Sequence, residues 1–205
     1  MKIYAISGLG ADERAFQFLE FPYEVVHVKW ITPEGDESMS SYAKRLCAQV
    51  DTSEPFALVG LSFGGMLATE MCKFIKPVHT ILLSSAETKK EIPWWFKMIG
   101  KMKLTNVVPN GFVEIPRPLA SWFFGTKDPE MLDYILEDVD LDFVKWAVKQ
   151  IMTWDNKTPA TNVTKIYGTA DRVLPPKKKS KAILIKDAGH FMVADKAAEI
   201  SSILQ

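Results

Sequence analysis

Hydrophobic and polar positions follow two alternating rhythms along the first part of the chain. "KIYAISG" at 2–8 is a short β-rich run closed by glycine, and "YEVVHVKW" at 23–30 is a second, rich in valine. Residues 38–50 then place Tyr42, Ala43, Leu46, Cys47 and Val50 at helical spacing, with Ser38 or Ser40 available as the N-cap. "PFALVGLS" at 55–62 is apolar up to its serine, the mark of a strand buried on both faces. Leu67, Ala68, Met71 and Ile75 predict a helix that stops near Pro77. "VHTILLSSA" at 78–86 reads as the next strand. Toward the C-terminus "NVTKIYGTAD" and "KAILIKDAGH" read as strands, and "VADKAAEISSIL" as a closing helix. Six strands separated by helices predict a mainly parallel sheet with right-handed crossovers.

Between about Glu87 and Pro159 the strand pattern is lost. Asp128 followed by Pro129 is a helix start, and Val144, Ala147, Val148 and Ile151 share a helical face. This stretch is expected to be a mostly helical insertion, at about 88–158, in a single domain spanning 1–205. It carries Trp94, Trp95, Phe96, Trp122, Phe123, Phe124, Trp146 and Trp154. Such rings usually pack helices onto a sheet, and a few can line an apolar cleft. "PPKKKSK" at 175–181 reads as a solvated turn.

Charge and composition narrow the choice of partner. The 25 basic and 25 acidic residues cancel, which gives no general attraction to nucleic acid or to an anionic membrane. No stretch approaches a membrane-spanning length, and "MKIYAISGLGADE" turns polar too quickly for a signal peptide. Cys47 and Cys72 lie in helical patterns and form no CxxC pair, which predicts two buried free thiols in a cytoplasmic protein. The 205 residues suffice for one sizeable core. No metal or organic cofactor is expected, because the chain has neither HExxH nor a Cys/His cluster.

Against this background "VGLSFGG" at 59–65 stands out. A linker explains glycines only where both flanks are polar, and here both are apolar. A sharp turn from strand to helix does explain them. It strains its central residue, here Ser62, and needs small residues two positions to either side, here Gly60 and Gly64. The hydroxyl then stands above the sheet edge beside the first amides of a helix, which favour negative charge. A phosphate loop of the Walker type requires a lysine that is absent, and "SGLGADE" lacks the third glycine of a dinucleotide-binding turn.

A serine hydroxyl needs a base before it attacks anything. Of the three histidines, His27 and His79 sit inside apparent strands and read as structural. His190 follows a strand that ends at Gly189, at the edge where sites gather in open α/β sheets. An imidazole used as a base needs a carboxylate to fix its tautomer and steady its cation. Asp171, at the end of the preceding strand, is the first choice, and Glu87 is held in reserve. Asp187 is too close to His190 along the chain to reach its ring easily from the side opposite the serine.

With "GLSFG", "GTAD" and "AGH" in that order, the chain resembles the α/β-hydrolase family, whose nucleophile, acid and base follow the sequence Ser62, Asp171, His190. The resemblance covers most of the chain, including a helical cap inserted before the acid-bearing strand. It implies the α/β-hydrolase fold without the family's first two strands. It also implies an oxyanion hole made by the backbone N–H groups of Phe63 and, in the loop after the first strand, Leu9. One departure is Ser7-Gly8, where the family commonly has His-Gly. The implied activity is a serine hydrolase, of carboxylesterase type and without a cofactor, and the aromatic residues of the insertion favour a small or medium uncharged ester. Thioesterase, C–C bond hydrolase and acyltransferase chemistry stay open within the fold, and a non-catalytic binding protein is the rival outside it.

Overall fold

The computed structural model describes residues 1–94, 96, 117–126, 128–135, 140–177 and 181–205. Trp95, residues 97–116, 127 and 136–139 of the expected helical insertion, and 178–180 of the lysine-rich stretch lie outside the described residues.

Six strands form one parallel sheet: β1 (Lys2–Ile6), β2 (Glu24–His27), β3 (Phe56–Leu61), β4 (His79–Leu83), β5 (Val163–Gly168) and β6 (Ile183–Ile185). Their order is β2-β1-β3-β4-β5-β6. The strand predicted to be buried on both faces, β3, is buried at all six positions and occupies the interior of the sheet. The described helices are α1 (Met39–Leu46), α2 (Phe63–Met71), α3 (Arg117–Phe124), α4 (Pro129–Ile135), α5 (Leu141–Thr153), α6 (Met192–Asp195) and α7 (Ala197–Leu204).

Strand alternation divides the core in two. On one face Tyr4, Ile6, Leu58 and Leu82 pack against Tyr42, Ala43 and Leu46 of α1, Met66 and Leu67 of α2, and Phe143, Trp146 and Ala147 of α5. On the other, Ile3, Ala5, Val59, Leu83, Ile166 and Ile185 pack against Phe16, Ile135 of α4, Met192 and Val193 of α6, and Ile200 and Leu204 of α7. Ser38 caps α1, its hydroxyl accepting from the Ser41 N–H at 3.1 Å.

Four expectations shift. The last strand, expected to end at Gly189, stops at Ile185, so a short loop carries the chain on to His190. The helix after Ser62 ends at Met71, short of Pro77. Lys73 and Phe74 donate their N–H groups to carbonyls three residues back, which tightens the last turn. The closing helix is broken at Lys196, whose φ of −133° is not helical. Cys47 and Cys72 are free but half-buried rather than buried. Partial burial still pushes the Cys47 thiol up to about 11, helped by the nearby Cys72, and raises Cys72 as well.

Helices α3, α4 and α5 lie between β4 and β5 in the chain, and the aromatic residues there divide. Trp146 and Trp154 are buried, and each finds a partner for its indole N–H: the Glu37 carbonyl at 3.1 Å and Glu70 Oε1 at 2.8 Å. Trp94 and Trp122 are exposed.

Candidate active site

The parallel register aligns the C-terminal ends of the strands, pairing Ile6 with Gly60, Leu61 with Leu83, and Gly168 with Ile185. Ser62, Asp171 and His190 all follow strand ends on this edge. Ser62 is the residue between β3 and α2, with φ 51° and ψ −119°. A non-glycine residue held there is strained, at a cost of about 1–3 kcal/mol. The turn persists because backbone packs against backbone around it. A Cβ on Gly64 would overlap the carbonyls of Ile6 and Ser7, and one on Gly60 would overlap the main chain of Gly64 and Gly65. The Ser62 N–H is held by the Leu83 carbonyl at 2.9 Å.

His190 Nε2 lies 2.8 Å from Ser62 Oγ, and its Nδ1 lies 2.9 Å from Asp171 Oδ2. A carboxylate can only accept, so Nδ1 carries the hydrogen and Nε2 is left to accept the serine proton. The other Asp171 oxygen accepts from the Val173 and Leu174 N–H groups, both at 2.9 Å. Asp171 and His190 are only 4% and 5% exposed. Burial pushes the Asp171 carboxyl upward, but His190 and the two backbone donors outweigh it and leave it below the ordinary carboxylate value. The loops bearing acid and base are tied together as well: the Ala170 N–H donates to the Ala188 carbonyl at 2.9 Å, and Thr169 N–H to Ile185 at 3.0 Å. A hydroxyl aligned on an imidazole whose far nitrogen is held by a buried carboxylate is able to give up its proton as it attacks.

Glu87, the reserve acid, is engaged elsewhere. Its carboxylate pairs with Lys165 Nζ at 3.1 Å, and Lys165 also pairs with Glu91 at 3.1 Å. Asp187 is an exposed turn residue with φ 55°. His79 Nε2 bonds the Thr164 hydroxyl at 2.9 Å, and His27 packs beside Phe16.

Phe63 is the first residue of α2, where an N–H has no intrahelical acceptor. Leu9 follows Gly8, whose Cα faces the Ser62 side chain closely enough that an added Cβ would touch Ser62 Cβ at 3.5 Å. This loop has supports that the sequence did not reveal. The Ser7 hydroxyl donates to the Ala11 carbonyl at 2.7 Å, and the Trp30 indole N–H donates to the same oxygen at 2.8 Å. Serine in place of the family's usual histidine thus has a role of its own, bracing the loop across its base. The spacing Ser7 to Ala11 was the only available signal, and the Trp30 bond joins two different strand ends.

Two cavities lie in the neighbouring structure, and neither is lined by Ser62, Asp171 or His190. One of about 170 Å³ is bounded by Gly10, Ala11, Trp30, Ile31, Ile135 and Phe143, with Asp12, Arg14, Thr32 and Asp140 also on its walls. A second, of about 460 Å³, reaches Ser85, Glu87, Glu91, Lys165, Tyr167 and Leu174. Among the described residues no helix is long and apolar enough to cross a membrane.

A parallel sheet with a strained serine at a strand-to-helix turn is the architecture of the α/β hydrolases. The sequence matches the alpha/beta hydrolase family over residues 6–203, and the chain belongs to that family. Solved structures with the same fold include a thermophilic esterase from Thermogutta terrifontis, 15% identical with a TM-score of 0.71, covering 100% of this chain and 88% of that one. A hydrolase from Oleispira antarctica is 14% identical with a TM-score of 0.74, over 99% and 89% of the two chains. A meta-cleavage product hydrolase from Pseudomonas fluorescens is 15% identical with a TM-score of 0.69, over 100% and 89%. No curated protein matches the sequence.

Proposed function

We propose that the protein is a serine hydrolase that cleaves a small or medium carboxylic ester through an acyl-enzyme on Ser62. The observation that carries this reading is the pair of hydrogen bonds on one ring, 2.8 Å from His190 to Ser62 and 2.9 Å from His190 to Asp171. His190 takes the serine proton as Oγ attacks the carbonyl carbon, and Asp171 steadies the imidazolium. The developing oxyanion is held by the N–H groups of Phe63 and Leu9, each such donor being worth about 3 kcal/mol of barrier. The imidazolium returns the proton to the leaving alcohol. A water molecule, activated by the same ring, then releases the acid and restores the serine.

The helices between β4 and β5 serve in this reading as a cap over the site, and the protein works in the cytoplasm on a small molecule. The cavity beside Gly10 and Ala11 sets Trp30, Ile31, Ile135 and Phe143 beside the charged Asp12, Arg14 and Asp140, and its apolar part suits the carbon chain of a small ester. Active-site labelling with a fluorophosphonate, followed by turnover of nitrophenyl esters of graded chain length, tests the proposal. Labelling at Ser62 with turnover of the shorter esters is expected. A folded sample that takes no label overturns it in favour of a binding protein.

A further inference from the structure

Four described non-glycine residues have a positive φ, and two of them are serines that follow adjacent strands. Ser62, immediately after β3, has φ 51°, and Ser84, immediately after β4, has φ 46°. Neither is a glycine, and both lie where an L-residue is disfavoured. The reversal at Ser84 precedes Ser85, a fully buried residue whose hydroxyl donates to the Ser62 carbonyl oxygen at 2.5 Å. That oxygen also accepts the Gly65 N–H at 3.0 Å and the Met66 N–H at 3.4 Å. The carbonyl is therefore gripped from the helix side and from β4 together, while the Leu83 carbonyl grips the N–H of the same residue.

Ser85 is itself fixed. The Tyr167 hydroxyl, on β5, donates to the Ser85 carbonyl oxygen and lies 3.3 Å from Glu91 Oε2. Burial, reinforced by Glu91, drives the Tyr167 phenol far above its ordinary value, so it remains a neutral donor. The fit is close on the other side too, since a Cβ on Gly65 would overlap the Ser85 side chain. The polar chain thus runs from β5 through β4 to the peptide of Ser62, with every member buried or partly buried.

We infer that Ser85 is a positioning residue for Ser62: with its backbone carbonyl held by Tyr167, its hydroxyl locks the peptide of the turn so that Oγ stays on the line to His190. The inference rests on Ser62 being the nucleophile, and it adds a residue that touches neither substrate nor the reacting oxygen. A rotated Ser62 peptide moves Oγ away from the imidazole and turns the following N–H, that of Phe63, away from the oxyanion. Both losses act on the rate of attack and leave ground-state binding unchanged.

The test combines kinetics with structure. In Ser85→Ala, the rate of phosphonylation of Ser62 and kcat per titrated site are expected to fall together by about 10-fold, with KM within twofold of wild type. Tyr167→Phe is expected to lower both by about threefold. Crystal structures of wild type and Ser85→Ala are expected to show the Ser62 carbonyl turned in the variant. Unchanged rates per titrated site in the variants, or an unmoved Ser62 peptide in Ser85→Ala, would overturn the inference. If Ser85→Ala does not fold, Tyr167→Phe decides the matter on rates and on the Ser85–Ser62 distance. If wild type itself takes no label, the hydrolase proposal fails, and the crystal comparison still decides whether Ser85 sets the turn.

Discussion

His190 Nε2 sits 2.8 Å from Ser62 Oγ, although 128 positions separate the two residues in the chain. Neither side chain is brought there by a local motif. Ser62 directly follows β3, His190 lies on the loop after β6, and the sheet register carries both to one edge. The proposed chemistry inherits its precision from that register, and this makes it open to mutational test.

Ser62→Ala is expected to abolish fluorophosphonate labelling and to lower ester turnover by about 10⁴-fold or more. Mass spectrometry of the labelled protein and a nitrophenyl acetate assay check this. Label retained elsewhere in the variant would move the nucleophile to another residue.

Asp171→Asn keeps the shape of the acid but removes its charge and its hold on the tautomer. Turnover is expected to fall by about 10³–10⁴-fold. Glu87→Gln is expected to stay within about threefold of wild type, because Glu87 faces Lys165 instead of the imidazole. Steady-state kinetics of the two variants side by side distinguishes them, and the reverse ranking would make Glu87 the acid.

Asp171 also links stability to pH. Its folded-state pKa is lowered, so it contributes stability in full above the ordinary carboxylate value near 3.9, and that contribution disappears as pH falls through the lower folded value. Urea midpoints for wild type and Asp171→Asn should differ most at neutral pH and converge in strong acid. Lys165 has the opposite sign. Burial lowers its pKa, but Glu91 and Glu87 outweigh burial and leave it raised, so its contribution is present in full below the ordinary lysine value and is lost as pH rises through the higher folded value.

Ser62→Gly should separate strain from function. Glycine accepts a positive φ without penalty, though part of the gain is offset by its freer unfolded state. A net stabilisation of about 1 kcal/mol, read as a rise in Tm of about 2–4 °C, is expected together with complete loss of turnover. A fall in Tm would mean that the serine side chain holds the turn more than it strains it.

How much of this was readable in advance depends on the range of each interaction. The uninterrupted apolar run before Ser62 marked β3 as buried on both faces, and glycines at 60 and 64 marked a crowded turn. Asp171 and His190 were readable because each follows a strand signal. The stop of α2 at Met71 was not, because Pro77 is a conspicuous breaker and the tightening of a last turn leaves no residue signature. The break at Lys196 likewise interrupts a good helical pattern. Ser85, Tyr167 and the Trp30 bond to Ala11 were invisible for a different reason. Their partners are 23, 82 and 19 positions away, and one hydroxyl or indole among many carries no sign of which carbonyl it will meet.

The contact of Gly64 with the carbonyls of Ile6 and Ser7 places the nucleophile turn and the Leu9 loop against each other with no side chain between them. Two regions of main chain therefore share one wall, and no side chain sets their spacing. Changes confined to the helices between β4 and β5 leave this main-chain contact, and the place of Ser62 beside it, as they are.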